Sequence, residues 1–349
     1  MTIRVLIDAT YADRALRSGT AVYVEQLIGA LGQLDGVEPI RVSNPRRGAP
    51  AGGGLGSVRN FLEDSRWASR ELPELARRHS AEVIHHPLPA LARAPGFAQV
   101  ITVHDLAFER LPEHFDRRFR IWARRAHRRA ALGADAVLCP SERTAKDAVV
   151  LWGAPPDRIV IAHHGPGQQL EPGPPLPPRH FLYVGDDEPR KDLPTLLAAY
   201  ELYRAGSEDP HSLVLAGNLA RGSRGEGVRV ERDPDPQRLA ELYREAVALV
   251  HPSLHEGFGL TALEAMSLRT PVLCAQIDTA DELYGDAVLY AGTGDSASFA
   301  GAMARLASSA ELRRDLAERA TARVAEYSWA ASARAHAAAY SLALEVAGR

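Results

Sequence analysis

Cysteine is almost missing: Cys139 and Cys274 are the only two among 349 residues, far apart in the chain. That excludes a disulfide framework or a cysteine-rich zinc site and fits a reducing compartment. Long apolar runs are missing as well. No stretch approaches the roughly 18 residues of a spanning helix. The apolar run in the opening MTIRVLIDAT is too short for a secretory signal. A cytoplasmic chain is expected, with a peripheral contact at the inner membrane face left open. An excess of positive charge is missing too. The net charge is -3 and the pI about 6.5, so no whole-protein attraction to nucleic acid exists, and no nucleic-acid-binding module is visible. Lysine is as scarce as cysteine. Of 41 basic residues only Lys146 and Lys191 are lysine, so a lysine kept against this arginine bias deserves inspection for what its compact ammonium does.

What remains is a globular composition, 46% apolar and 24% charged. At about 150 residues per domain, the length suggests two domains. Short buried-strand patterns (IRVLIDA, AEVIHH, QVITVHD, DAVLCPS) alternate with helical ones over the first half. That alternation predicts a mostly parallel sheet covered on both faces. GPGQQLEPGPPLPPR, 165–179, holds six prolines and three glycines and reads as a linker. The alternation then restarts with HFLYVG, LPTLLAAYELYRA, SLVLAG, DPQRLAELYREA, VALVHPS, LTALEAMSL and TPVLCA. Asp235 is the expected cap of the fourth of these, with Pro236 in its first turn. The divisions are 1–165, a Pro-rich linker 166–180, 181–327, and a final helix 328–349. Ligands of open parallel sheets bind outside the carboxyl ends of the strands, so the expected site is a cleft between two such halves.

Four stretches supply candidates. In HEGFGLTALEAM the strand delivers Glu256 to the site, and Gly257 and Gly259 let the backbone turn close to a ligand. A helix from Leu260 offers free amides to an anion. Glu264, one turn inside it, can accept hydrogen bonds from a ribose diol. In YVGDDEPRKDL a strand ends at Gly185, and Arg190 and Lys191 suit a pyrophosphate and the charge of a leaving diphosphate. Gly19, in SGTAVYVEQL, marks a loop that phosphate or sugar can approach. His104 and Asp105, in ITVHDL, stand where a histidine can bond a sugar hydroxyl or move a proton. Lys146 reads as a helix-surface residue. The helix with Arg117, Arg118, Arg120, Arg124, Arg125, Arg128 and Arg129 is either a solvated face or a contact for acidic acceptors or lipid headgroups.

Together these stretches resemble the retaining glycosyltransferases of family 4, which have the GT-B fold, and most of all their mannosyltransferase-like bacterial members. SGTAVY, ITVHDL, PSERTAKD, HHG, VGDDEPRKDL, HPSLHEGFGLTALEAM and GDAVLY occur in family order. The resemblance implies an α/β chain of two Rossmann-like domains facing an interdomain cleft, with acceptor bound by the first and donor by the second. It implies that Glu256 contacts the transferred sugar, helped by the backbone of Phe258 and Gly259. Glu264 would hold the ribose, Arg190 and Lys191 the diphosphate. Gly19 would sit by the phosphates, His104 near sugar and acceptor. The last helix would cross back onto the first domain. No metal or cofactor is implied beyond the nucleotide-diphosphate sugar itself. A GDP-sugar is the first expectation, with UDP- and dTDP-sugars as alternatives, and base contacts are expected from 217–232. The sequence departs from the family pattern at Ala21 and Val22, at Asp192 for the usual asparagine, at Arg269 for a glycine, and in QIDTADEL, 276–283.

The expected activity is hexose transfer, mannose or a related sugar, to a hydroxyl of a glycan, a lipid-linked acceptor or a natural product. The competing readings are a non-catalytic nucleotide-sugar-binding protein and a sugar-nucleotide epimerase on the same fold. A hydrolase with paired carboxylates has no use for Arg190 and Lys191.

Overall fold

The structure, a computed structural model, describes residues 2–348 apart from 15–17, 49–53, 94–95, 169, 172, 175 and 220–224. Part of the expected linker and of the expected base-contacting stretch 217–232 therefore lies outside the described residues. Two compact units appear: Met1–Gly165 with Ser328–Arg349, and Pro166–Tyr327.

The first unit is built on β1 (Ile3–Asp8), β2 (Val37–Val42), β3 (Val83–His86), β4 (Ala98–Thr102), β5 (Ala136–Cys139) and β6 (Ile159–Ile161). All pair in parallel, in the order β2-β1-β3-β4-β5-β6. The inner strands are apolar on both faces because helices cover both. Leu6 and Ile84 enter one core with Trp67 and Leu72, whereas Ile101, Val137 and Cys139 enter another with Phe108 and Trp152. The final helix, Trp329–Val346, is capped by Ser328 and belongs to this unit. It docks through buried polar groups. His336 Nε2 lies 2.8 Å from the Tyr23 hydroxyl, Tyr340 bonds His85 at 3.0 Å, and Trp329 stacks on His164.

The second unit repeats the plan with β7 (His180–Val184), β8 (Ser212–Ala216), β9 (Val228–Glu231), β10 (Ala246–His251), β11 (Val272–Ala275) and β12 (Leu289–Ala291). These strands too are all parallel, in the order β12-β11-β10-β7-β8-β9. Alternate side chains of β7 and β8 go to opposite cores: Leu182 and Val214 to one, Phe181, Tyr183, Leu213 and Leu215 to the other. Asp235 caps helix Pro236–Arg244 by accepting the Arg238 amide at 2.8 Å, as its position predicts. The proline-rich stretch is not a bare tether. Leu170 is buried in the second unit's core, and the Gln168 amide bonds Glu264.

Candidate active site

The strand order of the second sheet selects the place. The chain runs from β7 outward through β8 to β9, then returns to the other side of β7 with β10. Connections leave β7 and β10 in opposite directions, which opens a crevice at their carboxyl ends. The segments after these two strands carry Arg190 and Lys191 on one side and Glu256 on the other. A backbone bond from the Leu254 amide to the Arg190 carbonyl, 2.8 Å, ties them together. Gly185, at the end of β7, donates its amide to Ala216. Arg190 and Lys191 follow on a 3-10 turn, Pro189–Lys191. Asp192 then takes φ 49°, ψ 45° and caps helix Leu193–Ala205. Aspartate and asparagine are the side chains that best tolerate this left-handed conformation, so the exchange at 192 preserves the turn.

Glu256 is 7% exposed. Its Oε1 lies 2.5 Å from Lys191 Nζ, and its Oε2 accepts from Arg190 Nη1 at 3.3 Å. His251 Nε2 stands 3.2 Å from Oε1. Burial alone would raise the Glu256 carboxyl, but the charges of Lys191 and Arg190 outweigh it and hold the group well below its ordinary value. His251 is pushed the other way, toward the neutral ring, mainly by burial. The result is a buried anion clamped by two cations beside a neutral imidazole. His251 Nε2 is thus engaged by Glu256, whereas the buried Ser253 Oγ has no hydrogen-bond partner among the described residues and so has capacity for a ligand. Sequence reasoning passed over these two, although the end of VALVHPS at a strand terminus was the available signal.

Gly259 takes φ 79°, ψ 55°, and a Cβ there would meet the Tyr284 hydroxyl at 2.0 Å. That hydroxyl donates to the carbonyls of Phe258 and Gly259, both at 3.0 Å, and so fixes the entry to helix Leu260–Ser267. Thr279 donates to the Glu256 carbonyl at 2.8 Å. This is the use made of QIDTADEL, which forms helix Asp278–Tyr284. Gly257 is buried and has no positive φ, so of the two glycines only Gly259 supplies the left-handed turn. Just past the end of helix Leu260–Ser267, Arg269 takes φ 61°. Thr270 bonds back to Ala265 and Arg269 to Met266, a glycine-type C-cap occupied by arginine. Arg269→Gly is expected to stabilise the chain by about 1 kcal/mol, read as a higher thermal midpoint with unchanged ligand affinity.

Glu264 is 4% exposed on that helix. The Gln168 amide donates to its Oε1 at 2.7 Å, and the Tyr243 hydroxyl to its Oε2 at 2.9 Å. A Cβ on Gly167 would come within 2.2 Å of Oε1, so only glycine lets the backbone approach so closely. Burial raises the carboxyl to about 7 despite these two donors. Each carboxylate oxygen has two lone pairs, and one bond to each leaves acceptor capacity for a further pair of hydroxyls.

The candidates of the first unit are arranged differently. Gly19 is the exposed first residue of helix Gly19–Leu31, whose cap Ser18 accepts the Ala21 amide at 3.1 Å. His104, half-buried, follows β4. Its Nε2 donates to the Pro87 carbonyl at 2.9 Å, and its ring meets Tyr23 edge-on at 4.8 Å. Burial lowers its pKa, so the ring is neutral with Nδ1 as the acceptor nitrogen. Asp105 is engaged locally, accepting the Ala107 amide at 2.9 Å. Lys146 is exposed on helix Glu142–Asp147.

Comparison with known proteins covers most of the chain. Residues 17–166 match the family model described as Glycosyltransferase Family 4, and residues 170–323 match that of Glycosyl transferases group 1. The O-antigen chain mannosyltransferase B of Escherichia coli is 31% identical over 220 residues, 56% of this chain and 58% of that protein. The D-inositol 3-phosphate glycosyltransferase 2 of Catenulispora acidiphila is 32% identical over 248 residues, 61% of this chain and 57% of that one. The chain thus spans a little over half the length of these curated relatives. Among solved structures, sucrose-phosphate synthase from Thermosynechococcus elongatus superposes with a TM-score of 0.77 at 18% identity, over 97% of this chain and 98% of that one.

Proposed function

The chain belongs to glycosyltransferase family 4 and has its GT-B fold of two Rossmann-like domains, and on that premise we propose that it transfers a hexose from a nucleoside-diphosphate sugar to an acceptor hydroxyl, with retained anomeric configuration and without a metal. The reading rests on one observation above all: Glu256, Arg190 and Lys191 meet at the switch point between β7 and β10. The O-antigen chain mannosyltransferase relative supports a mannose-type donor and a glycan acceptor, and the D-inositol 3-phosphate glycosyltransferase relative supports a small hydroxylated acceptor.

In the proposed reaction Arg190 and Lys191 turn from Glu256 toward the donor diphosphate. They offset the charge that builds as the sugar carbon–oxygen bond breaks and its electron pair leaves with the diphosphate. The first amides of helix Leu260–Ser267 add to that field. Glu256, held ionised, steadies the positive charge developing on the sugar, with the backbone of Phe258 and Gly259 beside it. Glu264 accepts the ribose hydroxyls. Gly185 and Gly19 leave room for donor groups. The acceptor oxygen forms its bond on the face the diphosphate leaves, and its proton passes to a donor phosphate oxygen. His104 Nδ1 and Asp105 are assigned to the acceptor.

A screen of GDP-, UDP-, dTDP- and ADP-sugars tests this. At a hundredfold excess over Kd the true donor stabilises the native state by about 2.7 kcal/mol, seen as a rise of several degrees in the melting midpoint. Release of nucleoside diphosphate with a matching acceptor, unaffected by a chelator, completes the case. Donor binding without consumption over a broad acceptor panel would instead make this a nucleotide-sugar-binding protein. Donor turnover without acceptor would make it an epimerase.

A further inference from the structure

Helix Arg117–Gly133 turns one side to the core, where Ala123, Ala130 and Ala131 are buried. The opposite side is unusual. Arg118, Ile121, Trp122, Arg125, Ala126 and Arg129 line a shallow groove along it, at spacings that place them on one helical face. Ile121 is 45% exposed, Trp122 51% and Leu132 40%. An isolated exposed apolar residue is ordinary, but a Trp, an Ile and a Leu in one stripe are not. The arginines divide by use. Arg124 pairs with Glu109, and Arg128 donates to the Trp152 carbonyl, so both serve the fold. Among the described residues Arg118, Arg125 and Arg129 form no ion pair and face outward with the apolar stripe. Phe119 lies 6.2 Å from Trp122 and 6.1 Å from Phe108, and so braces the indole against the core.

We propose that this face binds the surface of an anionic lipid bilayer, through Arg118, Arg125 and Arg129 at the headgroups and Ile121, Trp122 and Leu132 in the acyl boundary. Alternating guanidinium and apolar groups along a helix lying flat is what a bilayer interface accepts: charge at the phosphates, an indole at the level of the glycerol. A protein partner that covered the stripe would have to provide carboxylates interleaved with apolar groups at the same spacing, whereas a fluid anionic bilayer supplies both anywhere. The chain as a whole carries a net charge of -3, so attraction to an anionic surface can come only from a local patch such as this one. No helix among the described residues is long and apolar enough to cross a membrane, and this contact needs none. The proposal stands independently of the transferase reading.

The test is sedimentation of the full chain with phosphatidylcholine vesicles, with and without phosphatidylglycerol. Binding is expected only with the anionic lipid. It should weaken in high salt, where surface charges are screened, and it should blue-shift indole emission, a shift that Trp122→Ala removes. Replacing Arg118, Arg125 and Arg129 together by glutamine is expected to lower the partition about 100-fold, with the melting midpoint unchanged because none of the three supports the fold. Failure to bind anionic vesicles would overturn the proposal, as would equal binding by the triple variant. So would sedimentation equilibrium showing a dimer that Trp122→Ala abolishes, because the stripe would then be covered by a second copy. These outcomes leave the donor screen untouched, so the two readings fail separately.

Discussion

Glu256→Gln is expected to lower sugar transfer by at least about 100-fold, the loss typical when a preorganised electrostatic group is removed from a reacting centre. The amide keeps the shape of the side chain but not its charge. It offers nothing to a developing sugar cation and leaves Lys191 and Arg190 facing each other without their shared anion. That second effect also costs stability, on the order of 2 kcal/mol, less than for a fully buried pair because both cations retain some solvent contact. The two effects separate experimentally. Turnover measured well below the variant's melting midpoint reports the chemistry, and denaturant titration reports the fold. Lys191→Ala should lose transfer as well, with weakened diphosphate binding as its distinguishing sign. If either variant turns over donor like the parent, the assignment of this cluster is wrong. The pH sign follows from the depressed carboxyl of Glu256. Its contribution is complete above the ordinary value of 4.5 and is lost only as pH falls through its lower folded value. It therefore adds no slope between pH 5 and 9.

Glu264, by contrast, contributes a slope that reaches into the neutral range, opposite in sign to that of histidines whose pKa burial lowers, such as His104 and His251, and this is the second large effect. Its carboxyl titrates at about 7 in the fold against an ordinary 4.5. Between those values the native state holds a proton on this carboxyl that the unfolded chain has released, so the contribution of Glu264 to stability falls as pH rises, by about 3 kcal/mol in all, and is flat above 7. Glu264→Gln removes this dependence. The variant should gain on the parent by that amount between pH 4.5 and 7, as followed by thermal or denaturant unfolding. Donor affinity should move in the opposite sense. Ribose hydroxyls donate to the ionised carboxylate, so the ratio of parent to variant affinity for the nucleoside diphosphate should climb from pH 6 toward 8. Taking the ratio cancels titration of the phosphates. A flat ratio would remove Glu264 from the ribose, and a flat stability difference would remove it from the buried, proton-binding role that its burial implies.

Legibility followed position in the sheet. The inner strands β1, β3, β4 and β5, and β7, β8, β10 and β11, were readable because both faces are largely buried and the runs are mainly apolar. The four strands without a sequence prediction, β2, β6, β9 and β12, are the four sheet edges. Edge residues such as Glu38, Arg41 and Arg229 face solvent or ion pairs, and short, half-polar segments carry no period of their own. The site divided in the same way. Glu256, Glu264, Arg190 and Lys191 stand at strand ends and a helix start that local pattern predicts. Tyr243, Gln168, Thr279, Tyr284, His251 and Ser253 were passed over. The first four act through a bond made across the fold, His251 through its place beside Glu256, and Ser253 through burial that leaves its hydroxyl without a partner among the described residues.

Taken by itself, the order of residues determined that this is a two-part α/β chain with a cluster of carboxylate and cation at the carboxyl ends of its second sheet, because periodicity, capping and turn chemistry act over a few positions at a time. The tertiary structure alone decided the charge states. Glu256 and Glu264 are the same side chain eight positions apart, yet one lies beside two cations and is held ionised, while the other lies among neutral donors and is pushed up to about 7. Desolvation and Coulomb energy depend on neighbours through space, and those neighbours come from residues as distant in sequence as Gln168, Lys191 and Tyr243.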